Sequence, residues 1–563
     1  MARGEKAPAK WRGLRWARRA TQVASALLFL ALIAATASLT GSGFDASSSA
    51  RVPYPVEAFL DIDPFVGALV LLSTGAIPGA LALGGIVFAI ALLLGRVFCG
   101  WICPFGAMHH GIAEALPGKP AAKRIAANRP GRYQKIKYVV LAASLVAAIF
   151  GSAIGGLLDP ISLATRGVSL TVVPWINYAL GGALEASAGS GIGALQGASD
   201  ALYEAASGVA VYQRGFMVGG GVLVAIVFVA ALAANRWIPR FFCRGVCPLG
   251  AMLGTAGRFG VLALVKDSAA CDGCGLCQIH CSQAAAPKPG EAWLRAECDL
   301  CLNCVAACPK GAIRFGLAGR KSDERSAPDV GRRQVIAGAA LGAAIVPMMR
   351  TGTLSSPIGR PDPACIRPPG AVDEEEFLAR CVRCGQCMKI CPNNALHPAL
   401  DEAGLEGLWT PVLVPRVGYC EPTCTLCTQV CPTAALRRVR EDQKTGRNGE
   451  AMVRVGTAFF DQGRCLPWAM GVPCTVCEEF CPTSPKAIWT RETEVQIEGR
   501  PVLVKVPFVD PHRCNGCGAC EFMCPVRDRA AVRVTAAGES RSPRSQLLLG
   551  NSTSGRGAGI NGS

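Results

Sequence analysis

The chain has 563 residues, room for three or four folded units, with 57 Lys and Arg against 40 Asp and Glu and a net charge of +17. Half the residues are hydrophobic, 17% are charged and the mean hydropathy is +0.33, which excludes a disordered polyampholyte, a collagen-like repeat and an ordinary soluble enzyme. The length excludes a small disulfide scaffold as the use of the 29 cysteines, so a membrane protein with a heavily metallated part is expected.

The N-terminus carries Arg3, Lys6, Lys10, Arg12, Arg15, Arg18 and Arg19 against the single acid Glu5, and an apolar stretch follows from about Gln22 to Leu39. Basic residues at one end of an apolar run are the flanks of a membrane helix facing the cytoplasm, so the charge excess predicts no nucleic-acid partner. Ala35-Thr36-Ala37 resembles a signal-peptidase site. A second apolar run, 64–95, is free of charge and broken by Pro78, and reads as an entering segment over 65–76 followed by a crossing helix from Gly79. Further runs at 138–158 and 215–234 complete four spans. The Gly/Ala/Ser-rich stretch 180–208 reads as a surface helix or a loop. Lys119, Lys123, Arg124, Arg129, Arg132, Lys135 and Lys137 follow the second run, and Arg236, Arg240 and Arg244 follow the fourth. These place the N-terminus, that loop and the chain after Ala234 in the cytoplasm.

The cysteines then fall into groups. Cys271, Cys274, Cys277 and Cys281 are spaced x2, x2, x3, and so are Cys298, Cys301, Cys304 and Cys308. The spacing returns at Cys381, Cys384, Cys387, Cys391 and at Cys514, Cys517, Cys520, Cys524. Cys420, Cys424, Cys427, Cys431 and Cys465, Cys474, Cys477, Cys481 widen only the first gap. In the bacterial ferredoxin pattern C-x2-C-x2-C-x3-C-P, three thiolates wrap one [4Fe–4S] cube and the fourth reaches a second cube. Zinc sites join two Cys pairs across a longer gap, and disulfides would be reduced in the cytoplasm. Six [4Fe–4S] clusters are therefore expected. The first two tetrads, as neighbours, should exchange Cys281 and Cys308.

Two C-x3-C-P motifs, Cys99/Cys103 and Cys243/Cys247, sit at the cytoplasmic ends of the second and fourth apolar runs. Each pair can share one helix face and the two motifs can meet, so they read as a redox motif: a further metal site, a redox-active thiol pair or an unligated thiol site. His109 and His110 close by read as loop residues, with no haem expected, and Cys365 has no assigned role. In mid-chain, Gly331-Arg332-Arg333-Gln334 precedes the charge-free segment 335–349. Paired arginines before a short apolar core read as a twin-arginine export signal, against a fifth span or a buried helix. Export places the C-terminal domain outside the cytoplasm.

These readings give a fold class of an α-helical membrane bundle, four spans plus a fifth candidate, carrying α+β ferredoxin-like [4Fe–4S] domains. The domains are 1–260 (membrane helices and both C-x3-C-P motifs), 261–320 (two clusters), 321–360 (twin-arginine-like segment and apolar helix), 361–535 (four clusters) and 536–563 (a disordered tail).

The arrangement resembles a fusion of two ferredoxin-type proteins of the periplasmic nitrate reductase electron-supply system. Residues 1–320 resemble its membrane quinol-dehydrogenase component through both C-x3-C-P motifs, Leu158-Asp159-Pro160-Ile161-Ser162-Leu163 and the first two tetrads. Residues 325–535 resemble its exported four-cluster partner through the twin arginines, Arg367-Pro368-Pro369-Gly370-Ala371 and the widened Cys465–Cys474 gap. The resemblance implies quinol oxidation at an inner (cell) membrane, with the lipid and quinone pool on one side of the chemistry and a periplasmic reductase or its electron carrier on the other. By analogy with multi-cluster electron-transfer subunits, it also implies nested pairing of the last four tetrads, first with fourth and second with third. Asp159 either lies near a quinol head group or simply ends a helix. No terminal catalytic motif is visible, so the chain reads as an electron-transfer component, with an accessory role in redox sensing or reductase maturation as the alternative.

Overall fold

In a computed structural model of the chain, residues 9–38, 52–115, 120–189, 193–206, 220–267, 269–286, 293–317, 331–350, 362 and 364–541 are described. They form a helical region flanked by ferredoxin-like units, each closed by a short antiparallel ladder.

The four-span bundle with a fifth candidate is not what the chain forms. Among the described residues two helices are long and apolar enough to cross a membrane, Gly13–Thr36 and Pro160–Ala188, and the fold is mixed helix and sheet. Glycine is the reason the second and third runs stop short. Helix Pro64–Thr74 ends at Gly75 and helix Gly84–Leu94 at Gly95, both at φ 74°, a left-handed value that only glycine adopts without strain. Helix Ile136–Ile149 has 14 residues and stops before Gly151, so it spans about 21 Å, short of a bilayer core of about 30 Å. The fourth run keeps 14 residues in helix Gly220–Ala233; residues 215–219 lie outside the described ones. By contrast, Pro160–Ala188 continues through a π-turn at Val168–Val172. Its Ser, Thr and Asn residues dilute the apolar pattern that would have announced it.

Helix Arg332–Arg350, which holds the paired arginines, packs along Ile136–Ile149. Gly338 and Gly342 make that approach possible, because a Cβ would lie 2.8 Å from the Val139 carbonyl oxygen and 2.3 Å from that of Ala143.

The N-terminal ferredoxin unit is bounded by strand Leu262–Lys266, antiparallel to Ile313–Leu317. In the C-terminal part, the bridges Ile366↔Leu413 and Ala371↔Leu436 and the ladder Leu396–Pro398 with Pro411–Leu413 close one unit. The ladder Thr457–Phe460 with Val532–Thr535 closes the next. A long hairpin, Ile488–Ile497 with Arg500–Val509, turns at Glu498 and Gly499, both at positive φ as a two-residue hairpin turn requires.

Residues 536–541, expected at the start of a disordered tail, are among the described residues. Arg541 is packed against Glu374 (2.8 Å) and Glu539 (2.6 Å), and residues beyond it lie outside the described ones. Arg367 holds Glu374 from the other side at 2.5 and 3.1 Å. Burial alone would raise the Glu374 carboxyl, but the two guanidinium groups outweigh it and bring it down to about 2. A carboxylate depressed in the folded state adds stability that is complete above its ordinary value of 4.5 and lost as the pH falls towards 2. Glu374→Gln is thus expected to lower the stability of this unit by about 3 kcal/mol at neutral pH. The gap between the two melting midpoints should shrink as the pH is taken below 4.5.

Candidate iron–sulfur sites

Each tetrad wraps a tight loop onto a short helix, as in Leu276–His280, Asn303–Ala307 and Ala519–Met523. Left-handed residues at Gly275, Leu302 and Gly518 turn the chain between the second and third cysteines. The fourth cysteine leaves the helix facing the other way, and backbone N–H groups donate to its sulfur: Ala285 to Cys281 (3.2 Å) and Ala395 to Cys391 (3.3 Å).

In the N-terminal pair the last cysteine of each tetrad stands with the other tetrad. Cys271, Cys274, Cys277 and Cys308 line one cavity, and Cys281 acts electrostatically on Cys301 and Cys304. The nested order expected for the last four tetrads is corrected: they pair in sequence. Cys431 lies against Cys381, Cys384 and Cys387, while Cys391 lies against Cys420, Cys424 and Cys427. Cys465, Cys474, Cys477 and Cys524 line a second cavity, and Cys481 joins Cys514, Cys517 and Cys520. The ladders decide this. The Ala371↔Leu436 bridge encloses only the third and fourth tetrads, and Thr457–Phe460 with Val532–Thr535 encloses only the fifth and sixth.

The groups also adjoin one another. Cys387 feels Cys427, Cys520 feels Cys477, and the Cys420 N–H donates to the Cys517 carbonyl at 2.8 Å across the two C-terminal units. The four C-terminal groups therefore stand in a file.

The donor set fits iron–sulfur cubes. Among the described residues no three His, Cys, Asp or Glu side chains converge tightly enough for a single ion; the thiols stand around a space. Burial pushes Cys298, Cys384, Cys391, Cys477 and Cys517 up to about 12, so bare thiols there would keep their protons at neutral pH, and iron would take the place of those protons.

One cation is built into the file. Buried Lys444 donates to Cys420 Sγ at 3.3 Å and to the carbonyls of Glu421 and Cys424, both at 2.5 Å. A positive charge and an N–H···S bond favour the reduced cube, which carries the extra electron. Lys444→Met is expected to lower the potential of the cluster at Cys391, Cys420, Cys424 and Cys427 by roughly 60–130 mV, the equivalent of losing 1.5–3 kcal/mol, in a redox titration followed by paramagnetic resonance.

The C-x3-C-P cysteines are brought together in the helical region. Cys103 is within electrostatic range of Cys99 and Cys243, and Cys247 of Cys243, Cys99 and Cys103. Cys103, Cys243 and Cys247 are buried. His109 is also buried, bonded to Asn235 at 2.6 Å and set against Phe105 and Phe242, a packed core residue. Cys365 is buried with Ala399 and Val412 in a cluster that holds no tetrad cysteine. Asp159 caps helix Pro160–Gly167 by accepting from the Ser162 N–H at 2.7 Å.

Three features had gone unread in the sequence. Asp63 is buried against Asp159 and caps its own Asp-Pro helix in the same way. Arg96 and Arg240, both buried, reach Glu297 (3.1 Å) and Asp299 (2.7 Å), the two acids flanking Cys298. The available signal was an internal repeat longer than C-x3-C-P: residues 96–108 and 240–252 share Arg-x-Phe-Cys-x3-Cys-Pro-x-Gly-Ala-Met.

Comparison with known proteins finds 4Fe-4S binding domain families over parts of the chain. Residues 76–122 and 218–266 match one 4Fe-4S binding domain family, and residues 377–397 and 507–527 match a second. The methylamine utilization ferredoxin-type protein MauM of Methylorubrum extorquens is 40% identical over 175 residues, 30% of this chain and 71% of the relative. The ferredoxin-type protein NapG of Escherichia coli is 38% identical over 170 residues, 30% of this chain and 69% of the relative. MauM of Paracoccus denitrificans is 36% identical over 222 residues, covering 38% and 88%. No solved structure matches.

Proposed function

The chain belongs to the family of ferredoxin-type iron–sulfur electron-transfer proteins that includes NapG and MauM, and from that premise we propose that it is a membrane-bound conduit carrying electrons from quinol through six [4Fe–4S] clusters to a reductase or its electron carrier outside the cytoplasm. The observation that carries this reading is the file of adjoining thiol groups, because a row of one-electron centres in contact serves transport rather than chemistry on a substrate. The cluster ligands are the twenty-four tetrad cysteines, exchanged pairwise as above.

Membrane attachment draws support from large apolar side chains left facing outward. Leu27 and Leu28 are exposed on the first long helix, Trp175 and Ile176 on the second, and Val222, Ile226 and Val229 on helix Gly220–Ala233. Bare apolar surface on this scale suits lipid, and quinol travels in lipid. The paired arginines at 332–333 favour delivery of the C-terminal units across the membrane.

Adding quinol to anaerobic membranes containing the chain is expected to bleach the cluster absorbance and raise reduced [4Fe–4S] paramagnetic signals. Clusters that respond to dithionite but never to quinol would overturn quinol as the donor. They would favour a cytoplasmic ferredoxin, entering at the Cys271 to Cys308 unit.

A further inference from the structure

We infer that Cys99, Cys103, Cys243 and Cys247 together hold a seventh iron–sulfur cube, joining the N-terminal ferredoxin unit electrically to the C-terminal file. The inference rests on the electron-conduit reading above and adds a site to it.

The two halves of the site are copies. In each repeat a five-residue helix, Val97–Trp101 or Phe241–Gly245, carries the first cysteine. The second cysteine folds back so that its N–H reaches the carbonyl of the repeat phenylalanine, Cys103 to Phe98 and Cys247 to Phe242, both at 2.9 Å. A proline then starts a longer helix, Pro104–Ala115 or Pro248–Gly257. Each copy thus places two thiols at a helix entrance, and packing the copies together makes one group of four.

Two independent features say that the group holds something anionic. The Gly250 N–H donates to Cys247 Sγ at 3.1 Å, and Gly106 does the same for Cys103. This is the N–H···S arrangement seen at Cys281 and Cys391 in the tetrads. Gly106 must be glycine, because a Cβ there would meet the Cys99 carbonyl oxygen at 2.6 Å, and a Cβ on Gly250 would press on Arg96 Nη2 at 2.7 Å. The second feature is unspent positive charge. Arg96 and Arg240 each give one nitrogen to an acid, yet Arg96 Nε and Nη2 and Arg240 Nε are buried with no partner. Buried cationic donors left without partners call for an anion. Four thiolates on a cube, a net anionic group, supply it beside both arginines.

The position fits a relay. On one side, Arg96 and Arg240 grip the acids flanking Cys298, and Gly100 packs so closely on Asp299 that a Cβ would lie 2.4 Å from its carbonyl oxygen. On the other side, Cys103 and Cys247 share an apolar core with Cys384. There Arg166 donates to the Arg383 carbonyl at 2.6 Å. The step is a plain one-electron exchange. The donor cube rises from [4Fe–4S]1+ to 2+ as the central cube falls from 2+ to 1+, with no bond made or broken and no proton moved.

Native mass spectrometry of the full chain, purified without oxygen, tests the assignment. Wild type is expected to carry seven cubes. Cys103→Ser/Cys247→Ser is expected to carry six, with iron down by about four per chain. Cys365→Ser, at a buried cysteine outside every group, should keep seven. Wild type with six cubes and Cys99, Cys103, Cys243 and Cys247 recovered as free thiols or disulfides would overturn the proposal, and so would seven cubes in the double variant. The wild-type count stands even where the double variant fails to fold. Failure of the conduit reading itself would look different: chains carrying no cubes at all.

Discussion

Replacing Glu297 by alanine is expected to destabilise the protein by about 3–5 kcal/mol and to release the N-terminal ferredoxin unit from the helical region. The carboxylate is wholly buried. One oxygen takes Arg96 Nη1 at 3.1 Å and Lys137 Nζ, and the other takes the Tyr138 hydroxyl at 3.1 Å. Burial has already brought Lys137 down to about 8, with Glu297 opposing the fall. Without the acid, Lys137 Nζ and Arg96 Nη1 are left buried with no carboxylate between them, which costs far more than an exposed ion pair is worth. A typical domain has only about 5–15 kcal/mol to lose. Glu297→Ala/Lys137→Met should recover part of the loss, because the charges leave together. Melting followed by cluster absorbance reads both effects, and a single variant that melts with wild type would contradict the account.

Cys431→Ala is expected to remove one cube, that of Cys381, Cys384 and Cys387, with a loss of about four irons per chain. It should leave intact the cube at Cys391, Cys420, Cys424 and Cys427, together with the potential shift that Lys444→Met produces there. Nested pairing would instead have Cys431 completing the group of Cys465, Cys474 and Cys477. Because the groups stand in file, losing this cube should also cut the cubes beyond it off from quinol. Their reduction by quinol at the wild-type rate in this variant would show that electrons travel by another route.

What the sequence disclosed follows the range of the interactions involved. Three ligands of each cube lie within a few residues of one another, so the tetrads are visible in the spacing. Which cube the fourth cysteine joins depends on strands such as Thr457–Phe460 and Val532–Thr535, dozens of residues apart, and no spacing reports that. Hydropathy misled in the helical region because it sums apolar residues and ignores where a helix stops. Gly75, Gly95 and Gly151 turn two promising runs into three short helices, whereas Pro160–Ala188 hides a long one behind polar residues. Arg96, Arg240 and Asp63 looked like ordinary flanking charges. The two arginines are buried by the packing of two copies of one motif, which a search for internal repeats wider than the cysteines would have exposed, whereas Asp63 is buried against Asp159.

The most direct measurement is low-temperature paramagnetic resonance with spin counting on the full chain, prepared anaerobically and reduced in steps. The account predicts [4Fe–4S]1+ signals that integrate to about six or seven spins per chain, broadened by coupling between neighbouring cubes in the file. Less than one spin per chain at full reduction, from protein whose thiols are intact and whose iron is correspondingly scarce, would contradict it.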